Sequence, residues 1–252
     1  MSESIRAVER ALDVLLCFTR QTPELTMTQI SEQVGMHKST VHRLLGTLER
    51  KRFLQRDPVT GIYTPGIRLI QMAYLPLERN DLRRIATPFL QNLCDQSLET
   101  VDLAVLEDTD VIYLEVIESP QRVKLAAAPG MRLPAYCTAS GKAILAFLPD
   151  ETVRRIVRSG MPCYTKGTLV TSEALFENLR LVRERGFALS EQEYEEGINA
   201  IGAPILDHSN RPIASVAVAG PAYRLTHERM LEIGQLVLDT TREISQEVGI
   251  RE

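Results

Sequence analysis

Basic and polar side chains concentrate between residues 35 and 56 of a chain that is acidic overall. Six lysines and arginines in this stretch face a single acidic residue, Glu49. Lysine and arginine neutralise phosphates, and short polar side chains between them reach base edges. A solvated helix face is the alternative, and charge alone does not exclude it. The basic residues are Lys38, Arg43, Arg50, Lys51, Arg52 and Arg56.

A second candidate site is the run of small residues from Thr138 to Gly141, directly before an apolar stretch. The run predicts the start of a helix, where unpaired N–H groups and a partial positive charge attract anions. A carboxylate could approach this backbone closely. The alternative is that Thr138 or Ser140 caps its own helix, and the residues alone favour that alternative.

Nucleophilic and metal chemistry have weaker support. A helix start beside Cys137 would lower the pKa of its thiol and activate it, which leaves redox sensing as an alternative. No histidine has a context that makes it a partner base, and the Asp and His residues lack ligand spacing. We therefore expect no enzyme, no metal site and no cofactor. The histidines are His37, His42, His208 and His227.

The composition is that of a globular protein: 252 residues, 44% hydrophobic and 25% charged. It excludes collagen-like and disordered chains. The longest apolar run is about six residues, against the roughly 20 of a spanning helix, so we expect no membrane contact. No secretory signal is evident. Four cysteines without a CxxC pair indicate reduced thiols and a cytoplasmic protein. They are Cys17, Cys94, Cys137 and Cys163.

The net charge of −4 is unevenly divided, since residues 1–79 carry +3 and the rest −7. Such asymmetry suggests that the first part meets a polyanion. Apolar spacing in this part predicts helices over about 4–20, 27–34 and 37–51. Thr26 and Gln29 form a capping box before the second helix, and Gly35 makes the turn after it. Residues 53–64 predict a β-hairpin around Gly61.

Two helices joined by a glycine turn, with a basic second helix and a hairpin after it, predict a winged helix-turn-helix over residues 1–65. The N-terminal residues of the basic helix would read the major groove, and the hairpin would lie beside it. The predicted DNA contacts are Thr28, Lys38, Ser39, Thr40, His42, Arg43, Arg56 and Tyr63.

Residues 66–79 predict a linker helix with an apolar stripe, packed on the first helix or on another subunit, which Pro76 kinks or ends. Residues 80–252 predict an α+β domain whose antiparallel sheet is covered by helices. Its helices are expected over 81–97, 142–148, 150–159, 172–185 and 226–248. Its strands are expected over 100–107, 111–118, 121–127, 187–190, 198–206 and 212–219.

Five segments resemble the IclR-type transcriptional regulators. AVERALDVL (7–15) resembles the family's first helix, and GMHKSTVHRLL (35–45) resembles its recognition helix. GMRLPAYCTASGKA (130–143) is similar to its most characteristic segment. GINAIGAP (197–204) and the Gly220-Pro221 and Arg224-Leu225-Thr226 pieces also match.

The resemblance implies a winged helix-turn-helix joined to a GAF-like effector domain, in homodimers or dimers of dimers. Such regulators bind palindromic operators in double-stranded DNA and respond to small, often carboxylate-bearing metabolites. The resemblance also favours ligand contact at the helix start over simple capping. The implied effector contacts are Leu125, Leu133, Ala139, Ser140, Ser190, Ala200, Ala217 and Ala219.

The chain departs from the pattern of members that bind very small oxo-acids. Those members place polar or acidic side chains at several strand positions where this chain has Ser190, Ala200, Ala217 and Ala219. Fewer polar partners and more volume indicate a larger or more apolar ligand, such as an aromatic acid.

Overall fold

The computed structural model describes residues 5–19, 21–78 and 81–249. The chain divides into two compact units, Met1–Arg79 and Asn80–Glu252. Within the described ranges, every helix is too short or too polar to cross a membrane.

Local signals determine the helix starts of the N-terminal unit. The Thr26 hydroxyl accepts a hydrogen bond from the Gln29 N–H, and the Gln29 side chain accepts one from the Thr26 N–H at 2.8 Å. The predicted capping box is therefore present. Gly35 has a φ of 62° in the turn that follows. The elements are α1 (Arg6–Leu16), α2 (Met27–Gln33), α3 (Lys38–Arg50), β1 (Leu54–Arg56), β2 (Tyr63–Pro65) and α4 (Ile67–Glu78).

The core of this unit lies under α3. Val41, Leu45 and Leu48 are buried on one side of the helix and Leu44 is half-buried, as the apolar spacing predicts. They pack against Ile30 of α2 and against the hairpin of β1 and β2, which pair antiparallel. This packing turns the polar side of α3 outward.

Most of the apolar stripe predicted for the first helix faces away from this core, and only Leu15 of the stripe packs against it. α1 is shorter than the predicted 4–20, and Val14 is its fully buried residue. The spacing correctly indicates an amphipathic helix but does not say what its apolar face contacts. The exposed apolar residues are Ile5, which caps the start of α1, and Val8, Leu12 and Leu16 within the helix.

α4 continues through Pro76, where the sequence predicts a kink or an end. The helix ends two residues later, at Glu78. Proline has no backbone N–H to donate, but α4 stays helical despite the missing hydrogen bond. Near its start, Ile67, Ile70 and Met72 are exposed.

The C-terminal unit is an α+β domain, which confirms the predicted fold class. Its strands form an antiparallel sheet in the order β5-β4-β3-β8-β7-β6. The helices are α5 (Asp81–Ser97), α6 (Ala139–Leu145), α7 (Asp150–Arg158), α8 (Ser172–Arg185) and α9 (His227–Gly249). The strands are β3 (Thr100–Glu107), β4 (Asp110–Ile117), β5 (Arg132–Pro134), β6 (Ala188–Glu191), β7 (Ile198–Leu206) and β8 (Pro212–Pro221).

The alternation of side chains along the central strands builds two cores. Val101 and Leu103 of β3 point to the face covered by α5 and α9. Ala104, one residue on, packs with α6, α7 and α8 on the other face. Side chains with even numbers on β3 therefore face α6.

The strand predicted over 121–127 is wrong. These residues form bends and irregular backbone. The first half of the outer edge of β4 is already occupied, because β5 pairs with residues 110–112 and the Tyr113 carbonyl accepts a hydrogen bond from the Gly130 N–H at 2.7 Å. Leu125 and Ala127 of this segment pack into the core that contains α6. The helix predicted over 142–148 begins earlier, at Ala139.

α6 touches the backbone of the sheet where glycine leaves room. A Cβ on Gly202 of β7 would lie 2.8 Å from the carbonyl carbon and oxygen of Ala139. A Cβ on Gly141 would collide with the backbone of Ala135 in the preceding 3₁₀ turn. Gly202 therefore allows the first turn of α6 to lie directly on β7, and Gly141 allows it to lie against the 3₁₀ turn.

We expect Gly202→Ala to lower the stability of the C-terminal unit by about 1–3 kcal/mol, because backbone atoms on both sides must move. Thermal unfolding of the full-length chain measures this. Gly46→Ala is the matched control: it lies within α3 with no atom within 4 Å of the added Cβ, so it stabilises by about 0.5–1 kcal/mol. Equal melting temperatures for Gly202→Ala and the parent would contradict the close packing.

Candidate functional site

The outer face of α3 carries most of the predicted DNA contacts in exposed positions. Lys38, Ser39, His42 and Arg43 are exposed and Thr40 is half-buried. Their helix starts at His37, whose ring nitrogen Nδ1 accepts from the Ser39 N–H and lies 2.9 Å from the Ser39 hydroxyl. The N-terminal turn of α3 therefore presents a polar, basic surface to solvent.

Further residues extend this surface. Thr28 is exposed on α2, and Arg50 continues the basic face at the other end of α3. A shallow depression on the α3 surface is lined by Arg10 of α1 together with Arg43 and Arg50. Arg10 is a basic residue that the sequence patterns did not single out, since it belongs to a different helix.

The hairpin places Arg56 outside and Tyr63 inside. Arg56 is exposed, with its guanidinium 5.7 Å from the centre of the Tyr63 ring. Tyr63 is only 4% exposed and exchanges backbone hydrogen bonds with Leu25. The structure thus corrects the prediction that Tyr63 is available to DNA: its ring is part of the core, where it supports Arg56.

The hairpin turn is fixed by Asp57. Its carboxylate accepts backbone hydrogen bonds from Val59 at 2.7 Å and Thr60 at 2.8 Å. These bonds, the one from Thr60 first, lower the pKa of Asp57. Asp57 therefore stays ionised and holds the turn next to Arg56.

The C-terminal unit contains a cavity between α6, the sheet and the 121–131 segment. Its volume is about 70 Å³. Seven of the eight predicted effector contacts line it, from the 121–131 segment, α6 and four strands. They are Leu125, Leu133, Ala139, Ser140, Ser190, Ala200 and Ala219.

Ala217 does not line the cavity. It lies on β8 between Asp102 of β3 and Gly202 of β7, its partners across the sheet. Since Gly202 lies directly beneath the first turn of α6, we attribute the exclusion of Ala217 to that helix. The alternation of side chains along β8 correctly places Ala217 and Ala219 on the same face of the sheet. It does not show which part of that face α6 covers.

The cavity is smaller than the sequence suggests. An engineered cavity that holds benzene measures about 150 Å³. The alanines at 200 and 219 do leave space, but side chains from other elements occupy it. These side chains, which the sequence patterns did not single out, include Tyr113, Met131 and Tyr194. The larger ligand predicted from the alanines finds too little room in this conformation.

The most unusual lining residue is Asp102, which the sequence analysis missed. It is 2% exposed and accepts a hydrogen bond from the Ser140 hydroxyl at 2.8 Å. Burial raises the pKa of Asp102 to about 7, and the bond from Ser140 only partly opposes this. A charged residue in the otherwise apolar run from Val101 to Leu106 is the signal that could have identified it.

At the start of α6, capping is the alternative that the structure shows, and ligand contact stays a prediction. The Thr138 hydroxyl accepts from the Gly141 N–H at 3.2 Å, so Thr138 caps its own helix. Ser140 instead bonds to Asp102. The predicted anion site at this helix start therefore already has a carboxyl group beside it.

A buried ion pair holds α6 from behind. The Lys142 ammonium contacts the Glu193 carboxylate and donates to the Leu189 carbonyl at 2.6 Å. Burial lowers the pKa of Lys142, against the attraction of Glu193. The pair links α6 to the β6–β7 loop, which carries Tyr194 and Glu195 into the cavity wall.

Cys137 lines the cavity without being activated. Burial raises the pKa of its thiol to about 12, so the helix start does not produce a thiolate near neutral pH. Among the described residues, no group of three or more His, Cys, Asp or Glu side chains is arranged to hold a metal ion.

The buried Asp102 gives stability a defined pH dependence. A carboxyl with a raised folded-state pKa keeps its proton while the unfolded chain loses one, so it destabilises the fold progressively from about pH 4 to about pH 7. We expect Asp102→Asn to gain about 4 kcal/mol relative to the parent over that range. Urea unfolding at several pH values measures it.

Glu195→Gln is the control, because this exposed residue loses a carboxylate at the cavity mouth without a burial penalty. Its unfolding free energy should differ from that of the parent by less than about 0.5 kcal/mol, because the side chain is exposed. Parallel pH curves for Asp102→Asn and the parent would show that Asp102 carries no such penalty.

Two family models match the chain. The model described as the IclR helix-turn-helix domain matches residues 7–58, and the one described as bacterial transcriptional regulator IclR C-terminal matches residues 74–246. The first covers α3 and the second covers the whole cavity. Both matches agree with the family indicated by the sequence motifs.

Curated relatives match the chain over nearly its whole length. The chain is 32% identical over 250 residues to the HTH-type transcriptional regulator KipR of Bacillus subtilis, covering 99% of each chain. It is 30% identical over 248 residues to the transcriptional repressor IclR of Escherichia coli, covering 97% of this chain and 90% of that protein.

A solved structure shows the same fold. It is an IclR homologue of Microbacterium hydrocarbonoxydans complexed with 4-hydroxybenzoate, with 23% identity, a TM-score of 0.84 and coverage of 96% of this chain and 98% of that one. The matches span both units of the molecule. The chain belongs to the IclR family of DNA-binding transcriptional regulators.

Proposed function

We propose that this protein is a ligand-responsive regulator that binds a palindromic operator through α3 and the hairpin. The exposed basic face of α3 carries this proposal. An α-helix fits the major groove, where its N-terminal residues contact base edges and its arginines contact phosphates. The protein would act in the cytoplasm, with a small-molecule effector in the cavity and no enzymatic activity.

A homodimer, alone or paired into a dimer of dimers, would match such an operator. A twofold protein places two recognition helices one turn of DNA apart, or a multiple of that distance. The N-terminal unit offers an unpartnered apolar surface for this purpose: Leu12 and Leu16 of α1 are 53% and 76% exposed. Exposed apolar clusters commonly mark protein interfaces.

The predicted class of effector, an organic acid, stays a prediction. The supporting observation is the first turn of α6, which lies at one end of the cavity with small residues. Against it stands the buried carboxyl of Asp102 at the same end.

We expect Arg43→Ala to weaken binding to the DNA upstream of the protein's own gene about tenfold, which is about 1.4 kcal/mol. Fluorescence anisotropy at a series of salt concentrations measures it. If Arg43 contacts a phosphate, the slope of log affinity against log salt also falls by about one. Arg158→Ala, which removes the same charge from exposed α7, should bind like the parent. Unchanged operator affinity of Arg43→Ala would remove Arg43 from the interface.

We expect Leu12→Glu to reduce the oligomeric mass of the protein in solution, because it places a charge in the proposed apolar interface. Light scattering after size-exclusion chromatography measures the mass. Val59→Glu is the control, since Val59 is an exposed apolar residue at the hairpin tip, outside that interface. A mass that Leu12→Glu leaves unchanged would place the interface elsewhere.

A further inference from the structure

The cavity offers a ligand negative charge and no compensating cation. Its ionisable lining residues include the carboxyl groups of Asp102 and Glu195, and none of the described lining residues is Lys, Arg or His. A carboxylate entering this space would meet a carboxyl group without a counter-ion. Such an arrangement disfavours anions on electrostatic grounds.

The lysine and arginine side chains next to the cavity residues form ion pairs with other carboxylates. Lys142 follows the cavity residues of α6 in sequence but is held by Glu193. Lys124, beside Leu125, pairs with Glu118 at 2.5 Å, and Arg132, beside Leu133, pairs with Asp110 at 3.3 Å.

Asp102 retains hydrogen-bonding capacity. Its Oδ1 accepts from Ser140, and within the described part of the chain no other hydrogen bond to this carboxyl is found. A carboxylate can accept several hydrogen bonds, and a buried one without enough donors is costly. The carboxyl lines the cavity, so a ligand there can supply the missing donor.

We propose that Asp102 is the specificity-determining residue of this cavity: it accepts a hydrogen bond from the hydroxyl group of a small uncharged ligand, and it admits a carboxylate only when it takes up one proton from solvent. This inference rests on the proposed function, because it assumes that the cavity is the effector site. It replaces the expected organic acid by a hydroxyl compound of similar size.

Among the ionisable groups that face Asp102, none competes with it for the proton that is taken up when an acid binds. The facing groups are Tyr113 of β4, Cys137 of the 3₁₀ turn before α6 and Tyr194 of the β6–β7 loop. Burial raises the pKa of each. All three stay protonated near neutral pH. Glu195 is exposed at the mouth, and the β8 neighbours Ala217 and Ala219 do not titrate. Two carboxyl groups sharing one site hold one proton between them.

Matched probes separate charge from shape. Hydroxyacetone and pyruvate share a three-carbon skeleton, and benzyl alcohol and benzoate provide a larger pair. Each is titrated calorimetrically into the full-length protein one pH unit above and one below the pKa of about 7 of Asp102. Two buffers of different ionisation enthalpy give the number of protons taken up.

We expect the alcohol of the pair that fits to bind at least about tenfold more tightly than its acid at the higher pH. The acid should gain about tenfold on going to the lower pH and should bind with uptake of protons, whereas the alcohol should not. Asp102→Asn should bind the acid about tenfold more tightly than the parent at the higher pH, with no proton uptake. Ser140→Ala keeps the carboxyl group but removes the hydrogen bond that lowers its pKa, so its binding of the acid should still depend on pH and still take up protons.

The proposal is overturned if the parent binds acid and alcohol equally at the higher pH, if Asp102→Asn does not improve acid binding, or if none of the four probes binds. Failure of the proposed function looks different. In that case the probes follow the expected pattern but leave operator affinity unchanged, or the protein does not prefer its upstream DNA at all.

Discussion

The direct contact between the first turn of α6 and the backbone of β7 determines the geometry of the C-terminal unit. Gly202 leaves no side chain between them, and Lys142 fixes the helix from behind through Glu193. Because helix and sheet are this close, the Ser140 hydroxyl reaches Asp102 on the central strand β3. The cavity is the space that remains beside this contact, so its polar end is a consequence of how the helix is seated.

The N-terminal unit was largely predictable because its signals are local. The capping box at Thr26, the turn at Gly35 and the apolar stripe of α3 each depend on residues within a few positions of one another. The prediction for Tyr63 was wrong because its burial depends on a contact with a residue far away in the sequence. In a strand of three residues the alternation is too short to say which side is buried, and only the packing against Leu25 decides it.

The cavity was predictable in part. The resemblance supplied seven lining residues, since positions within a family keep their place in the fold. It did not supply Asp102, which is 38 residues from Ser140 in sequence and meets it only after β3 and α6 have packed. The 121–127 segment shows the same limit: its alternation suggests a strand, but a strand also needs a free edge, and β5 already occupies residues 110–112 of β4.

The floor and the polar end of the cavity belong to different strands. Ala200 and Ala219 face each other on β7 and β8, while the carboxyl group comes from β3. Replacing either alanine with a larger residue would reduce the volume of the cavity and would not change the charge of Asp102. A substitution at Ala200 or Ala219 can therefore change the size of the ligand that fits, and a substitution at Asp102 can change the ligand's polarity. Each change needs only one residue, and the sheet keeps its structure.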